Sequence, residues 1–207
     1  MKKVILVLFS FIACHASAQE FDGAHWKPPY TLGFPQGWGV ERFLIPIEFA
    51  PGIPYKGIED IRFTSGWGNA KSDEYWSYAF LWYLDEMPVT NEVTIQTNLN
   101  AYYTGLIGRN VERRKIPAEK LFPVKTLVKQ VGTEAGDSKT FKGSINMLDY
   151  MEQKPMALNC IVHVKSCAGQ SNGFIFYEIS PKPPADKVWV SLELLWKNFD
   201  CKPAIKK

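Results

Sequence analysis

The chain has 207 residues, with 24 Lys and Arg against 21 Asp and Glu and a formal charge of +3. A balance so near neutral gives no electrostatic reason to seek nucleic acid, whose affinity rests on phosphate neutralisation, so nucleic-acid partners are discounted. The length suits one domain with a core large enough to need no staples.

The first residues carry the three parts of an export signal. Lys2 and Lys3 make a basic start, Val4 to Ala13 an apolar run, and Ala16 and Ala18 a small-x-small pattern with cleavage expected after Ala18. The run is about half the ~20 residues a membrane-spanning helix needs, and no later stretch is a candidate for a transmembrane segment in the mature chain. The expected location is therefore secreted or periplasmic. A competing reading takes Phe11-Ile12-Ala13-Cys14 as a lipoprotein box, with Cys14 lipidated and the domain anchored to a membrane. Removing residues 1–18 takes Lys2 and Lys3 away and leaves every acid in place, so the charge of +3 falls by two, to about +1.

Residues 19–39 are rich in Pro, Gly and aromatics (His25-Trp26-Lys27-Pro28-Pro29-Tyr30, Phe34-Pro35-Gln36-Gly37-Trp38-Gly39) and read as an irregular strap, tacked to the domain by its aromatic rings or lining a groove. Residues 40–203 are expected to form a single α+β domain. Arg42 to Phe49, Ile58 to Thr64 and Tyr75 to Leu84 read as strands between turn segments rich in Pro and Gly. The third is apolar on both alternating faces and should be covered on both. Val93, Gln96, Leu99, Tyr103, Leu106 and Ile107 recur at helical spacing, capped by Thr90 or Asn91 and expected to end near Gly108. Val124 to Thr133, Lys139 to Tyr150, Met156 to Ser166 and Gly173 to Ser180 return to period two and read as an antiparallel meander. Asp186 then opens a C-terminal helix with Trp189, Leu192, Trp196 and Phe199 on one face. The fold class is thus α+β, a mostly antiparallel sheet with a mid-chain and a C-terminal helix, packed as an α/β/α sandwich.

This element order, with Phe174-Ile175-Phe176-Tyr177-Glu178-Ile179-Ser180 followed at once by a helix carrying Trp189 and Trp196, resembles the α/β/α sandwich of the PsbP-like proteins. That resemblance implies an accessory binding role more than catalysis. The chain is also similar to bacterial secreted families of unknown function, which imply no mechanism.

Three cysteines remain after the expected cleavage. Cys160 falls on the apolar face of its strand with Met156, Leu158, Val162 and Val164 and reads as a small core residue. It stands seven residues from Cys167, about 23 Å of extended chain, too far for a bridge. The terminal helix returns along the last strand, so Cys167 and Cys201 are the expected disulfide.

No phosphate loop, His-Glu-x-x-His, Cys-x-x-Cys or Gly-x-Ser-x-Gly occurs. His25 and His163 are too few for a zinc site, so no metal and no cofactor is expected. His163 reads as a partly exposed or satisfied strand histidine. The acid pairs Glu59-Asp60, Asp73-Glu74 and Asp85-Glu86 point to opposite faces and are read as marking strand ends and turns. Asp149 has no identifiable partner. The candidate ligand-binding residues are the loop aromatics Trp26, Trp38 and Trp67 and, from the basic cluster Arg109, Arg113, Arg114, Lys115 and Lys120 at the helix end, Arg109, Arg113 and Arg114, which would take an anion such as a phosphate or an acidic glycan. The favoured function is a non-catalytic binding or accessory protein for a small molecule, glycan or envelope protein. The alternative is an envelope-polymer hydrolase in which folding brings Glu59 or Asp73 to His25.

Overall fold

The computed structural model describes residues 21–134 and 136–203; the expected export signal and Cys14 lie outside the described residues. The chain forms an α+β fold around one seven-stranded antiparallel sheet. Its strands are β1 (Gly39–Ile45), β2 (Gly57–Phe63), β3 (Tyr78–Leu84), β4 (Lys125–Val131), β5 (Lys139–Asp149), β6 (Lys154–Ser166) and β7 (Gly173–Ser180). The order across the sheet is β1-β2-β3-β7-β6-β5-β4. The last strand of the meander therefore docks against β3, and these two most apolar strands become the centre of the sheet.

Helix α1 (Glu92–Val111) carries the chain from the central β3 to the edge strand β4, and α2 (Lys187–Lys197) follows β7. The Asn91 side chain accepts from the Thr94 amide, and Thr94 Oγ1 accepts from the Asn91 amide. Such a reciprocal cap contributes about 1 kcal/mol. Glu92 then ties the helix to the edge strand, accepting from the Gln130 amide at 3.0 Å.

Several expected boundaries move, β1 beginning at Gly39 rather than Arg42 among them. β1 ends at Ile45 rather than Phe49, because Pro46 has no amide hydrogen to give a ladder. β3 begins at Tyr78 rather than Tyr75, because Trp76 adopts φ 55°, a left-handed conformation that turns the chain. That backbone costs on the order of 1–2 kcal/mol for a non-glycine residue; full burial of the ring and an indole hydrogen bond to Asp149 at 3.0 Å offset it. Helix α1 runs past Gly108 to Val111. Within it Gly105 is required, because the Phe49 carbonyl packs against the helix where a Cβ would stand. Of the expected stripe of α1, Leu99, Tyr103 and Ile107 are buried, but the buried face is shifted to take in Ile95, Asn98, Tyr102 and Asn110, and Val93 is exposed.

Strand alternation sorts the core into two clusters. Tyr78, Phe80, Trp82 and Leu84 of β3 join Ile95, Leu99, Tyr102 and Tyr103 of α1 in one. Ala79 and Leu81 join Val188, Trp189, Leu192 and Trp196 of α2 in the other. In the first, Phe141, Val162, Tyr177, Phe80 and Ile61 make a cross-strand row from β5 to β2. Phe80 stacks on Tyr177 with ring centroids 4.4 Å apart. The rows on the opposite face are more polar: Lys142, Ile161, Glu178, Ala79 and Arg62 lie side by side.

The N-terminal segment is anchored at both its backbone and its rings. Thr31 and Asp200 exchange backbone hydrogen bonds of 2.8 and 3.1 Å, and the Tyr30 ring is buried among Tyr83, Phe174 and Phe199. Cys167 and Cys201 are paired as a disulfide with Cα atoms 5.9 Å apart, and Cys160 is free and buried. No described helix is long and apolar enough to cross a membrane.

Candidate functional site

The C-terminal end of α1, the turn after β2 and the inner face of β1 to β3 enclose a cleft of about 300 Å³. Trp67, Arg109, Arg113 and Arg114 all line it. Residues more than forty positions apart meet here because α1 crosses the sheet and delivers its last turn over the Gly66-Trp67-Gly68 turn.

Apolar rings build the walls. Trp67 packs on Phe63 with centroids 4.5 Å apart and lies edge-on to Trp76 at 5.9 Å. The guanidinium of Arg114 sits 5.1 Å from the Tyr150 ring centre, and that of Arg109 sits 5.2 Å from the Phe49 ring centre. Stacking of this kind holds a planar cation in place while leaving its N–H edge free. Burial raises the Tyr150 phenol, and the charges of Arg114, Arg113 and Arg109 oppose that rise, which places all three guanidinium groups within electrostatic reach of one ring. Arg113 Nη2 donates to Asn110 Oδ1 at 2.6 Å. The helix end is fixed by Lys115, which takes φ 52°, and by Gln153, whose amide donates to the Arg114 carbonyl at 3.0 Å.

Two donors in this cleft lack acceptors. Trp67 Nε1 and Arg114 Nε are buried without a hydrogen-bond partner. A buried donor without an acceptor costs about 1–3 kcal/mol, and both donors belong to residues that line the cleft. None of the three arginines forms a salt bridge among the described residues; Glu41, exposed on β1, is the carboxylate at the rim. The arrangement suits an acceptor-rich, anionic group attached to an apolar or aromatic body.

The other expected aromatics lie elsewhere. Trp26 packs beside Tyr30 and Tyr83, and Trp38 is buried in the α2 cluster; neither lines this cleft.

The grouping of Glu59 or Asp73 with His25 does not form. His25 is exposed and bound to Asp22 at 2.6 Å, and Asp73 is exposed and paired with Lys182 at 3.3 Å. Glu59 and Asp60 do not mark a strand end, as their sequence position led us to expect. They are fully buried in the middle of β2, one on each face. Glu59 accepts from Trp82 Nε1 at 2.9 Å and Tyr102 Oη at 2.7 Å. Asp60 accepts from Tyr30, Arg42 and Arg62. Asp149, without a visible partner in the sequence, accepts from Tyr75 Oη and Trp76 Nε1 and from the amides of Met151 and Glu152.

Of the two expectations for His163, partly exposed or satisfied, the second describes Nδ1, bonded to Asp137; the side chain is 1% exposed between two acids. Nδ1 lies 2.8 Å from Asp137 Oδ2, and Nε2 lies 3.3 Å from Glu178 Oε1, within ion-pair range but outside hydrogen-bond geometry. Asp137 also accepts from Thr140 Oγ1 at 2.6 Å and from Trp196 Nε1 at 2.7 Å. Burial disfavours the imidazolium, but Asp137 and Glu178 outweigh it and raise the His163 pKa to about 9. Sequence reasoning missed this cluster. Its one visible signal was Glu178, a lone acid in the otherwise apolar strand Phe174 to Ser180.

Among the described residues, no group of three or more His, Cys, Asp and Glu side chains is arranged to hold a metal ion. Comparison of the chain with models of known families, with curated proteins and with solved structures found no match.

Proposed function

We propose that the protein is a secreted or periplasmic, non-catalytic binding protein whose ligand carries an anionic group on an apolar, aromatic or sugar body, held in the cleft at the end of α1. The observation that carries this reading is the pair of buried, partnerless donors, Trp67 Nε1 and Arg114 Nε, lining one cleft with Arg109 and Arg113. Arg114 would meet the anion edge-on while its face stays against Tyr150, and the Trp67 indole would give a further hydrogen bond. Phe63, Phe43 and Leu106 would take the ligand's body. We infer an α/β/α sandwich, with α1 and α2 on opposite faces, as the frame for this cleft. The element order that resembles the PsbP-like proteins agrees with an accessory role. Export rests on Lys2, Lys3 and the apolar run to Ala13; the exported protein would begin at Gln19, which N-terminal sequencing reads directly.

The test is isothermal titration of the mature protein with phenyl phosphate, inorganic phosphate and a uronic-acid oligosaccharide. We expect saturable binding of at least one of them, weakened about tenfold or more in the Arg113→Ala, Arg114→Ala double variant, the loss of roughly 1.4 kcal/mol or more. Unchanged affinity in that variant removes the reading.

A further inference from the structure

On the opposite face of the sheet, between β5, β6, β7 and α2, a second cavity of about 280 Å³ has the reverse chemistry. The register that puts Lys142, Ile161 and Glu178 in one cross-strand row sets Glu178 into it. The neighbouring row sets His163 beside Glu178. Trp189 and Glu193, one turn apart on α2, close the cavity from above.

Glu178 is fully buried, and neither carboxylate oxygen has a hydrogen-bond donor. A buried carboxylate without a hydrogen-bond donor is costly for a fold to hold, even with a cation in ion-pair range. Its neighbours explain only part of the retention. His163 is already committed through Nδ1 to Asp137, and its Nε2 misses hydrogen-bond geometry with Glu178. Lys142 is taken by Glu134 at 3.3 Å, and Glu193 is paired with Lys197 at 2.7 Å. Glu134 and Glu193 thus each have a lysine of their own, and the deepest acid of the lining, Glu178, is the one without a hydrogen-bond donor. Ile161, Pro184 and Trp189 supply an apolar wall, and the Trp189 indole is oriented by its own hydrogen bond to the Lys182 carbonyl at 3.1 Å.

We propose that this cavity is a binding site for a small organic cation, a primary ammonium on a short apolar or aromatic stem, with Glu178 as its counter-ion. The ammonium supplies the donors that both Glu178 oxygens lack, and the stem lies along Ile161 and Trp189. Asp137 is excluded from direct contact with the ligand because Thr140, His163 and Trp196 already occupy it. It acts as a positioning residue that holds the imidazole in register. This site is independent of the arginine cleft: it lies on the other face, takes the opposite charge, and stands or falls separately.

The probe is benzylammonium, with benzyl alcohol and benzoate as neutral and anionic counterparts, titrated into the full mature protein at matched ionic strength. We expect saturable 1:1 binding of benzylammonium alone, and an affinity at least about tenfold lower in Glu178→Gln, which keeps the shape and removes the charge. Binding of benzyl alcohol as tight as that of benzylammonium, no saturable binding, or unchanged affinity in Glu178→Gln overturns the proposal. If Glu178→Gln does not fold, NMR of the wild-type imidazole decides. Saturation with benzylammonium must shift the His163 ring resonances, and resonances that stay in place overturn it equally.

Discussion

Tyr30 Oη donates to Asp60 Oδ2 at 3.0 Å, joining the N-terminal segment to a carboxylate buried in the middle of β2. The same carboxylate accepts from Arg42 Nε at 2.8 Å and from both terminal nitrogens of Arg62, whose side chain is 2% exposed. Tyr30 thus completes the hydrogen bonding of a buried ion cluster, and the strap is a structural part of the sheet's outer half. Replacing Tyr30 with Phe keeps the ring packing and removes one charge-assisted hydrogen bond. We expect a loss of about 1.5 kcal/mol in urea unfolding, without change in the slope. An unchanged midpoint would mean that water replaces the hydroxyl without cost.

Glu59 lies on the other face of the same strand and has no cation beside it. Burial raises its pKa to about 8, against the hydrogen bonds of Tyr102 and Trp82, which lower it. An acid whose folded pKa is raised holds its proton longer in the native state, so its contribution is complete below its unfolded value near 4.5 and is lost as pH rises through about 8. The loss is about 1.4 kcal/mol per pH unit within that window. In Glu59→Gln this dependence disappears and the variant becomes more stable than wild type at pH 8 and above, as denaturation at pH 5 and pH 8.5 would measure. Parallel curves for the two proteins would show that Glu59 does not titrate there.

His163 produces a second, later window. Its folded pKa of about 9 stands above the unfolded 6.5, so its stabilising charge is fully present below pH 6.5 and is lost as pH rises through 9. Glu178 adds to this dependence: burial raises its own pKa and His163 only partly restores it, so its contribution is likewise lost as pH rises. We expect the imidazole of the wild-type protein, followed by NMR, to titrate well above 7. In Asp137→Asn its pKa drops by at least about one unit, because the nearest negative charge is gone. An imidazole that titrates near 6.5 in both proteins contradicts the buried ion pair.

The Cys167–Cys201 bridge joins the β6–β7 turn to the segment after α2, across a sequence separation of 34 residues. Loop-closure entropy for a ring of that size corresponds to about 3–4 kcal/mol. Thr31 pairs with Asp200 next to Cys201, so opening the bridge loosens the strap as well. The Cys167→Ser, Cys201→Ser variant should melt lower by several degrees, with hydrogen exchange rising first around Thr31 and Asp200. Uniform exchange across the sheet would argue that the bridge acts on the whole domain instead.

Several features were legible without the fold. The period-two runs from β5 to β7 start and end close to their observed limits, because each is bounded by turn residues and its side chains alternate into a core. Asp186 caps α2, and Trp189, Leu192, Trp196 and Phe199 are buried together as their spacing requires. The cysteine pairing followed from topology alone. Helix α1 was harder. Hydrophobic spacing found Leu99, Tyr103 and Ile107, but its polar Asn98 and Asn110 are buried, bonded to Tyr55 Oη and the Leu106 carbonyl, and its apolar Val93 faces solvent, so the buried face was only partly legible.

The charged interior was hardly legible. Apart from Glu178, the lone acid of its strand, Glu59, Asp60, Arg62 and His163 look like ordinary polar positions in alternating strands, because alternation says which face a side chain takes and nothing about what covers that face. Local periodicity and turn chemistry act over a few residues, and they sufficed to determine the α+β class and the antiparallel meander; the cysteine pairing needed in addition the expected return of the terminal helix along the last strand. The insertion of β7 beside β3, the crossing of α1 that brings Arg109, Arg113 and Arg114 over Trp67, and the meeting of Asp137, His163 and Glu178 were decided by the tertiary structure. These contacts join residues far apart in the chain, and only the assembled sheet and its packed helices supply the desolvation that turns such residues into paired or partnerless charges.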